Sequence, residues 1–227
     1  VEQQKINFKH LAMRVFESDK LVLSQSTPYQ VIAQFKQTRV RFYASENKRY
    51  KEPLVFVAPL AINMDIYDLY PYRSLVKHFQ HSGFDVYLVQ WGQYNYKDRF
   101  LNFMSFIDDA IPHCIEQIRK HSKSEEISLH GWSMAGIFVV LYCALRQPNF
   151  VKNLIVLGSP VDSYASGHTS KLFQKVNQLI AKNKTLQNKI YSETVPKSFI
   201  HTSGLLNAIG FKIIDPKGWF HSQKRLL

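Results

Sequence analysis

The stretch Gly131-Trp-Ser133-Met-Ala-Gly136 is the part of this chain best suited to covalent chemistry. A serine hydroxyl is a weak nucleophile, so an enzyme that uses one must hold it clear of its backbone and beside a base. A sharp turn from a strand into a helix does the first of these, lifting Oγ above the sheet on a strained backbone. Such a turn has no room for bulk, and the neighbours here are Gly131, Ala135 and Gly136. Glycine is usual where Ala135 stands, and alanine is the smallest departure from it. The helix beginning at Met134 aims its positive end at the site. Ser133 is therefore the candidate nucleophile, and attack on an acyl carbon is the chemistry it suits.

Attack creates an oxyanion, which needs hydrogen-bond donors. The Met134 backbone N–H, next after the nucleophile, is one candidate. The other comes from Ala58-Pro-Leu-Ala-Ile-Asn63, the loop after an earlier strand. Pro59 has no N–H, so Leu60 is the first choice and Ala61 the second. Downstream carboxylates are Asp162, Glu193 and Asp215, and downstream histidines are His168, His201 and His221. Asp162 directly follows a strand and is the one acid placed to serve. The three histidines lie in a stretch with no buried strand to return them to the sheet edge. None is expected within ~3.5 Å of Ser133 Oγ, the loose end of catalytic hydrogen-bond reach. His130 is too near the elbow to act as base and reads as a core histidine. His78, His81, His113 and His121 fall on helices, away from the strand carboxyl ends where open α/β sheets keep their chemistry. No histidine–carboxylate pair has supported metal-ligand spacing, so neither metal nor cofactor is expected.

The surrounding elements must position this serine. Leu54–Ala58, Phe84–Val89, Ile127–His130 and Asn153–Leu157 are short apolar runs, as strands buried on both faces require. Between them, Tyr72–His81, an amphipathic stretch from Phe103 to Ile118 containing Pro112, and Met134–Arg146 read as helices. Strand–helix alternation at this spacing predicts right-handed crossovers and one parallel sheet, with Ser133 at its carboxyl edge. Residues 4–18 look helical, and 28–43 read as strands from the alternation of Val31, Ala33 and Phe35, then Val40 and Phe42. The expected organisation is an N-terminal helix and strands over 1–52, a core over 53–168, and a partial cap over 169–227.

Composition narrows the class. The 227 residues are 45% hydrophobic and 20% charged, ordinary for a soluble domain. No apolar run spans a bilayer and no secretory signal opens the chain, so it reads as not transmembrane. Two cysteines are too few for an oxidised framework, so a reducing cytoplasm, with association to a granule as an option, is the expected location. Cys114 and Cys143 lie on apolar helix faces and read as small buried hydrophobes. The net charge of +12 is uneven: +5 over 1–52, −1 over 53–170 and +8 over 171–227. Basic flanks suit phosphates or an anionic surface, but no nucleic-acid motif accompanies them, and no nucleic acid is expected as partner.

From Pro53 to about Gly218 the chain resembles the catalytic subunit of class III polyhydroxyalkanoate synthases, members of the α/β-hydrolase superfamily. The resemblance rests on Pro59-Leu-Ala-Ile-Asn63, Asp68-Leu-Tyr-Pro71, Ser74-Leu-Val76 and Gly83-Phe-Asp-Val-Tyr-Leu88. It continues through Trp91-Gly92, Asp98-Arg-Phe-Leu101, Gly158-Ser-Pro-Val-Asp162, Val195-Pro-Lys-Ser-Phe199 and Asp215-Pro216, in the family's order. Those synthases carry Cys at the elbow where this chain has Ser133, Gly-Gly where it has Ala135-Gly136, and Asp where it has Gln90. The resemblance implies an α/β-hydrolase fold, and implies that the catalytic acid and histidine come beyond Leu227, the chain being a fragment. It also implies acyl transfer from a hydroxyacyl-CoA or hydroxyalkanoate ester through an acyl-enzyme, with a second synthase subunit or a polymer granule as partner. A serine in place of the cysteine leaves ester, thioester or polyester hydrolysis open on the same scaffold. A granule-binding or scaffold protein without activity stays open as well.

Overall fold

The computed structural model describes residues 26–60, 62, 64–70, 72–92, 94, 96–98, 100–162, 168–185 and 188. The helix expected over 4–18 lies outside these residues, as do Ala61, Glu193, His201, Asp215 and His221. The chain divides into two compact units, one of them Leu23–Ser163.

The apolar runs form the centre of the sheet in that unit. Strand β3 (Leu54–Val57) is buried at every position and pairs in parallel on both sides. One neighbour is β6 (Val86–Gln90) and the other is β7 (Ile127–Trp132). Beyond β7 lies β8 (Val151–Leu157), also parallel. On the other flank, hairpin strands β1 (Gln30–Phe35) and β2 (Thr38–Tyr43) are antiparallel to each other, and β2 is antiparallel to β6. The order β1-β2-β6-β3-β7-β8 brings the four expected runs together as adjacent parallel strands. Parallel strands demand cover on both faces, which explains why these runs are apolar throughout rather than alternating.

Local chemistry starts and stops the helices. Helix α1 (Leu75–Ser82) begins where Ser74 Oγ accepts from Lys77 N–H at 2.9 Å, and it ends at Gly83 in the left-handed region. The sequence reading began this helix at Tyr72. Instead Asp68–Tyr70 (β4) and Arg73–Ser74 (β5) form a small hairpin first. Helix α2 (Ile111–Ser122) follows a π-helical turn over Ser105–Ala110. The helical backbone runs without a break from 103 through that turn into α2, so Pro112 lies inside the long helix expected here, just past the π-helical turn. A proline cannot donate to the turn before it, and the wider π-helical turn sits where that bond is lost. Helix α3 (Met134–Arg146) leaves β7 directly and buries Phe138, Val139 and Tyr142. In the stretch read as a cap, helix α4 runs over His168–Lys182. Among the described residues no helix is long and apolar enough to cross a membrane.

Candidate active site

Ser133 stands between the end of β7 and the start of α3, with φ 54° and ψ −124°. A β-substituted residue rarely adopts positive φ, so this is a strained turn held by its surroundings. Its N–H donates to Leu157 O at 2.9 Å, and its carbonyl accepts from Gly136 N–H at 3.0 Å. The Ser133 side chain does not cap α3. The hydroxyl is therefore not spent on satisfying its own helix.

The small neighbours are a steric necessity. A Cβ on Gly131 would meet Ala135 O at 2.6 Å and Gly136 Cα at 2.7 Å, both backbone atoms that cannot swing away. A Cβ on Gly136 would meet Ser159 Oγ at 1.7 Å and Ser159 Cβ at 2.7 Å, beyond the end of β8. Ala135 is fully buried. The helix is thereby packed against both parallel strands that flank the serine.

Met134 is the first residue of α3, a position whose backbone N–H has no intrahelical acceptor before it. Leu60 lies three residues beyond the last residue of β3, Val57, half-buried against the core. Because β3 and β7 run parallel and adjacent, both loops leave the same edge of the sheet. Two features hold the approach to Leu60. Tyr67 Oη donates to Val57 O at 3.4 Å, and the indole Nε1–H of Trp91 donates to Ala58 O. Sequence reasoning singled out neither aromatic as part of the site, since both contacts depend on how separate segments align in space.

The histidines within Leu23–Ser163 sit on other elements and make contacts of their own. His130 is buried, edge-on to Phe56 at 4.9 Å and to Tyr67 at 6.1 Å. Burial holds its pKa below the ordinary imidazole value, and its Nδ1 has no partner among the described residues. His113 stacks on Phe35, and His121 Nδ1 bonds Tyr87 Oη at 2.8 Å. His78 and His81 lie on α1. Asp162 is exposed and follows the end of β8. His168 opens α4. Neither thiol is a rival nucleophile: desolvation pushes Cys114 up to about 12 and raises Cys143 as well. A thiol so shifted stays protonated at neutral pH and is inert. Among the described residues no group of three or more His, Cys, Asp or Glu could hold a metal ion.

This geometry can present a hydroxyl above a sheet edge beside backbone donors, which is the arrangement acyl transfer needs. A family model described as alpha/beta hydrolase fold matches residues 52–216. The poly(3-hydroxyalkanoate) polymerase subunit PhaC of Haloferax mediterranei is 34% identical over 129 residues, 56% of this chain and 26% of that protein. PhaC of Synechocystis is 36% identical over 110 residues, covering 48% of this chain and 29% of that protein. PhaC of Thiocystis violacea is 29% identical over 155 residues, covering 68% and 39% respectively. The chain thus spans between 26% and 39% of the length of these relatives. Among solved structures, the Francisella virulence factor BioJ aligns with a TM-score of 0.50 at 19% identity, over 82% of this chain and 67% of that one. A thermostable carboxyl esterase from Bacillus coagulans aligns with a TM-score of 0.50 at 16% identity, over 77% of this chain and 55% of that one. At such identities these two structures speak to the fold alone.

Proposed function

The chain belongs to the alpha/beta hydrolase fold family, and on that premise we propose that it serves acyl transfer through an acyl-Ser133 intermediate. The observation that carries this is the positive φ of Ser133 between β7 and α3, strain that a merely structural turn could shed with a glycine. The PhaC likenesses favour a hydroxyacyl-CoA or a hydroxyalkanoate ester as acyl donor. Ser133 Oγ attacks the thioester carbonyl, and a base takes its proton. The tetrahedral oxyanion rests on the N–H groups of Met134 and Leu60. The C–S bond then breaks, CoA leaves as the thiol, and an oxygen ester remains on the serine. The hydroxyl of a second 3-hydroxyacyl group then attacks that ester, freeing Ser133 and lengthening the product by one unit. The CoA of the donor leaves with the reaction, which draws on no other cofactor.

A second reading, hydrolysis of an ester, thioester or polyester, is favoured by the serine itself. An acyl-serine is a poorer donor to a chain hydroxyl than a thioester would be, which gives water more time to compete. Both readings make the protein an enzyme, an acyltransferase or a hydrolase. A companion synthase subunit and association with a polymer granule belong to the first reading.

Incubating the full-length protein with 3-hydroxybutyryl-CoA separates the two. The expected result is polymer together with free CoA. Free 3-hydroxybutyrate with CoA decides for the hydrolase. If a fluorophosphonate does not label Ser133 and neither product forms, the protein is a scaffold and the acyl-serine reading is wrong.

A further inference from the structure

Pairing between β3 and β6 ends at Val57 and Val89, with one more backbone bond, Ala58 N–H to Val89 O at 3.3 Å. The next carbonyl on that edge, Ala58 O, leaves the ladder. It accepts instead from the indole Nε1–H of Trp91, the residue just past the end of β6. That carbonyl belongs to the peptide joining Ala58 to Pro59, and a peptide unit is planar, so holding its oxygen holds the whole plane. The pyrrolidine ring then locks φ of Pro59. One free dihedral, ψ of Pro59, remains between the held plane and the N–H of Leu60.

The indole is itself held. Trp91 is 6% exposed, edge-on to Phe106 at 5.2 Å and to Phe138 at 6.3 Å. Those two rings stack on each other at 5.3 Å with planes 4° apart. Phe138 lies on α3, one turn after Met134. The indole therefore joins the carbonyl that aims Leu60 to the helix that begins with Met134.

We propose that Trp91 is a positioning residue: its indole N–H, acting through the Ala58–Pro59 peptide, sets where the Leu60 N–H points relative to the Met134 N–H. The proposal rests on Ser133 being the nucleophile and names what keeps its oxyanion site in register. Donors aimed at the oxyanion stabilise the transition state more than the ground state, so misdirecting one lowers turnover more than binding. A core tryptophan that merely satisfies its N–H would affect stability and leave the rate per folded molecule unchanged.

The test replaces Trp91 in the full-length protein with 3-benzothienylalanine, which keeps the ring shape and substitutes sulfur for N–H. Trp91→Phe is the second variant. Each is assayed for the rate of fluorophosphonate labelling at Ser133, for kcat and KM on a 4-nitrophenyl ester, and for Tm. The expected result is a fall of about tenfold or more in labelling rate and kcat, with KM moving by less than about twofold. Hydrogen exchange in the peptide covering 58–63 should accelerate while that covering 127–132 does not. Unchanged labelling per folded molecule in the benzothienyl variant, with wild type labelling normally, overturns the role of Trp91 alone. Wild type that does not label at Ser133 overturns the nucleophile reading and this inference with it.

Discussion

Ser133 holds φ 54° and ψ −124°, a conformation that typically costs on the order of 1–3 kcal/mol for a residue with a Cβ. The surroundings impose it: the Leu157 carbonyl takes the serine N–H, and the backbone of Ala135 and Gly136 leaves no slack at Gly131. Glycine enters positive φ without that cost but loses more conformational entropy on folding. The balance predicts that Ser133→Gly is more stable than Ser133→Ala by about 1 kcal/mol, a shift of a few degrees in Tm. Both variants lose covalent labelling at this position. Chemical denaturation of the pair measures the strain directly, and equal midpoints with equal slopes would show that Ser133 is relaxed. The elbow was legible in the sequence because close packing forces small residues at fixed offsets, and Gly131, Ala135 and Gly136 display that constraint without any knowledge of the fold. Trp91 was not legible as part of the site. Its bond to Ala58 O exists only because β3 and β6 pair in a particular register.

Between β3 and α1 the chain makes an excursion that one carboxylate ties to the helix start and to the entry of β1. Asp68 is 2% exposed, and Oδ1 accepts from Thr27 Oγ1 at 2.8 Å and from Ser74 Oγ at 2.5 Å. Oδ2 accepts from Thr27 N–H at 2.5 Å. Ser74 in turn caps α1, so Asp68 links the entry to β1, the small β4–β5 hairpin and the helix start. Buried donors left without an acceptor cost their full desolvation, and three donors converge here. Asp68→Ala is therefore expected to lose about 2–4 kcal/mol, visible as a lower denaturation midpoint. A loss below about 0.5 kcal/mol would show that water replaces the carboxylate. This device explains why the β4–β5 hairpin escaped the sequence reading. Strands this short carry no periodicity, and their position depends on a side chain whose partners include Thr27, 41 residues away. The central strands were legible for the opposite reason. Burial on both faces writes itself as an unbroken apolar run, and the alternation with helices leaves one connection rule to apply. The π-helical turn before α2 was read as ordinary helix, since one extra residue in a turn barely disturbs an amphipathic stripe.

Charge is a property of the whole chain, and here it is segregated. The residues supplying the candidate site fall in the near-neutral stretch 53–170, with −1 net, while 171–227 carries +8. In α4 the described residues Lys171, Lys175 and Lys182 are exposed, as cations free to meet a solvated anion must be. Exposed charges act over about the Debye length, which contracts from about 30 Å at 0.01 M to about 3 Å at 1 M ionic strength. An acyl-CoA carries several phosphate charges remote from its thioester, whereas a short 4-nitrophenyl ester carries none. If the basic segment draws in the donor, KM for the CoA thioester should rise at least several-fold across that salt range. KM for the neutral ester should stay nearly constant over the same range. The difference between the two substrates separates electrostatic capture from a general effect of salt on the fold. A KM for the thioester that does not respond to salt, with the enzyme still folded, would assign the excess charge to a role other than substrate capture.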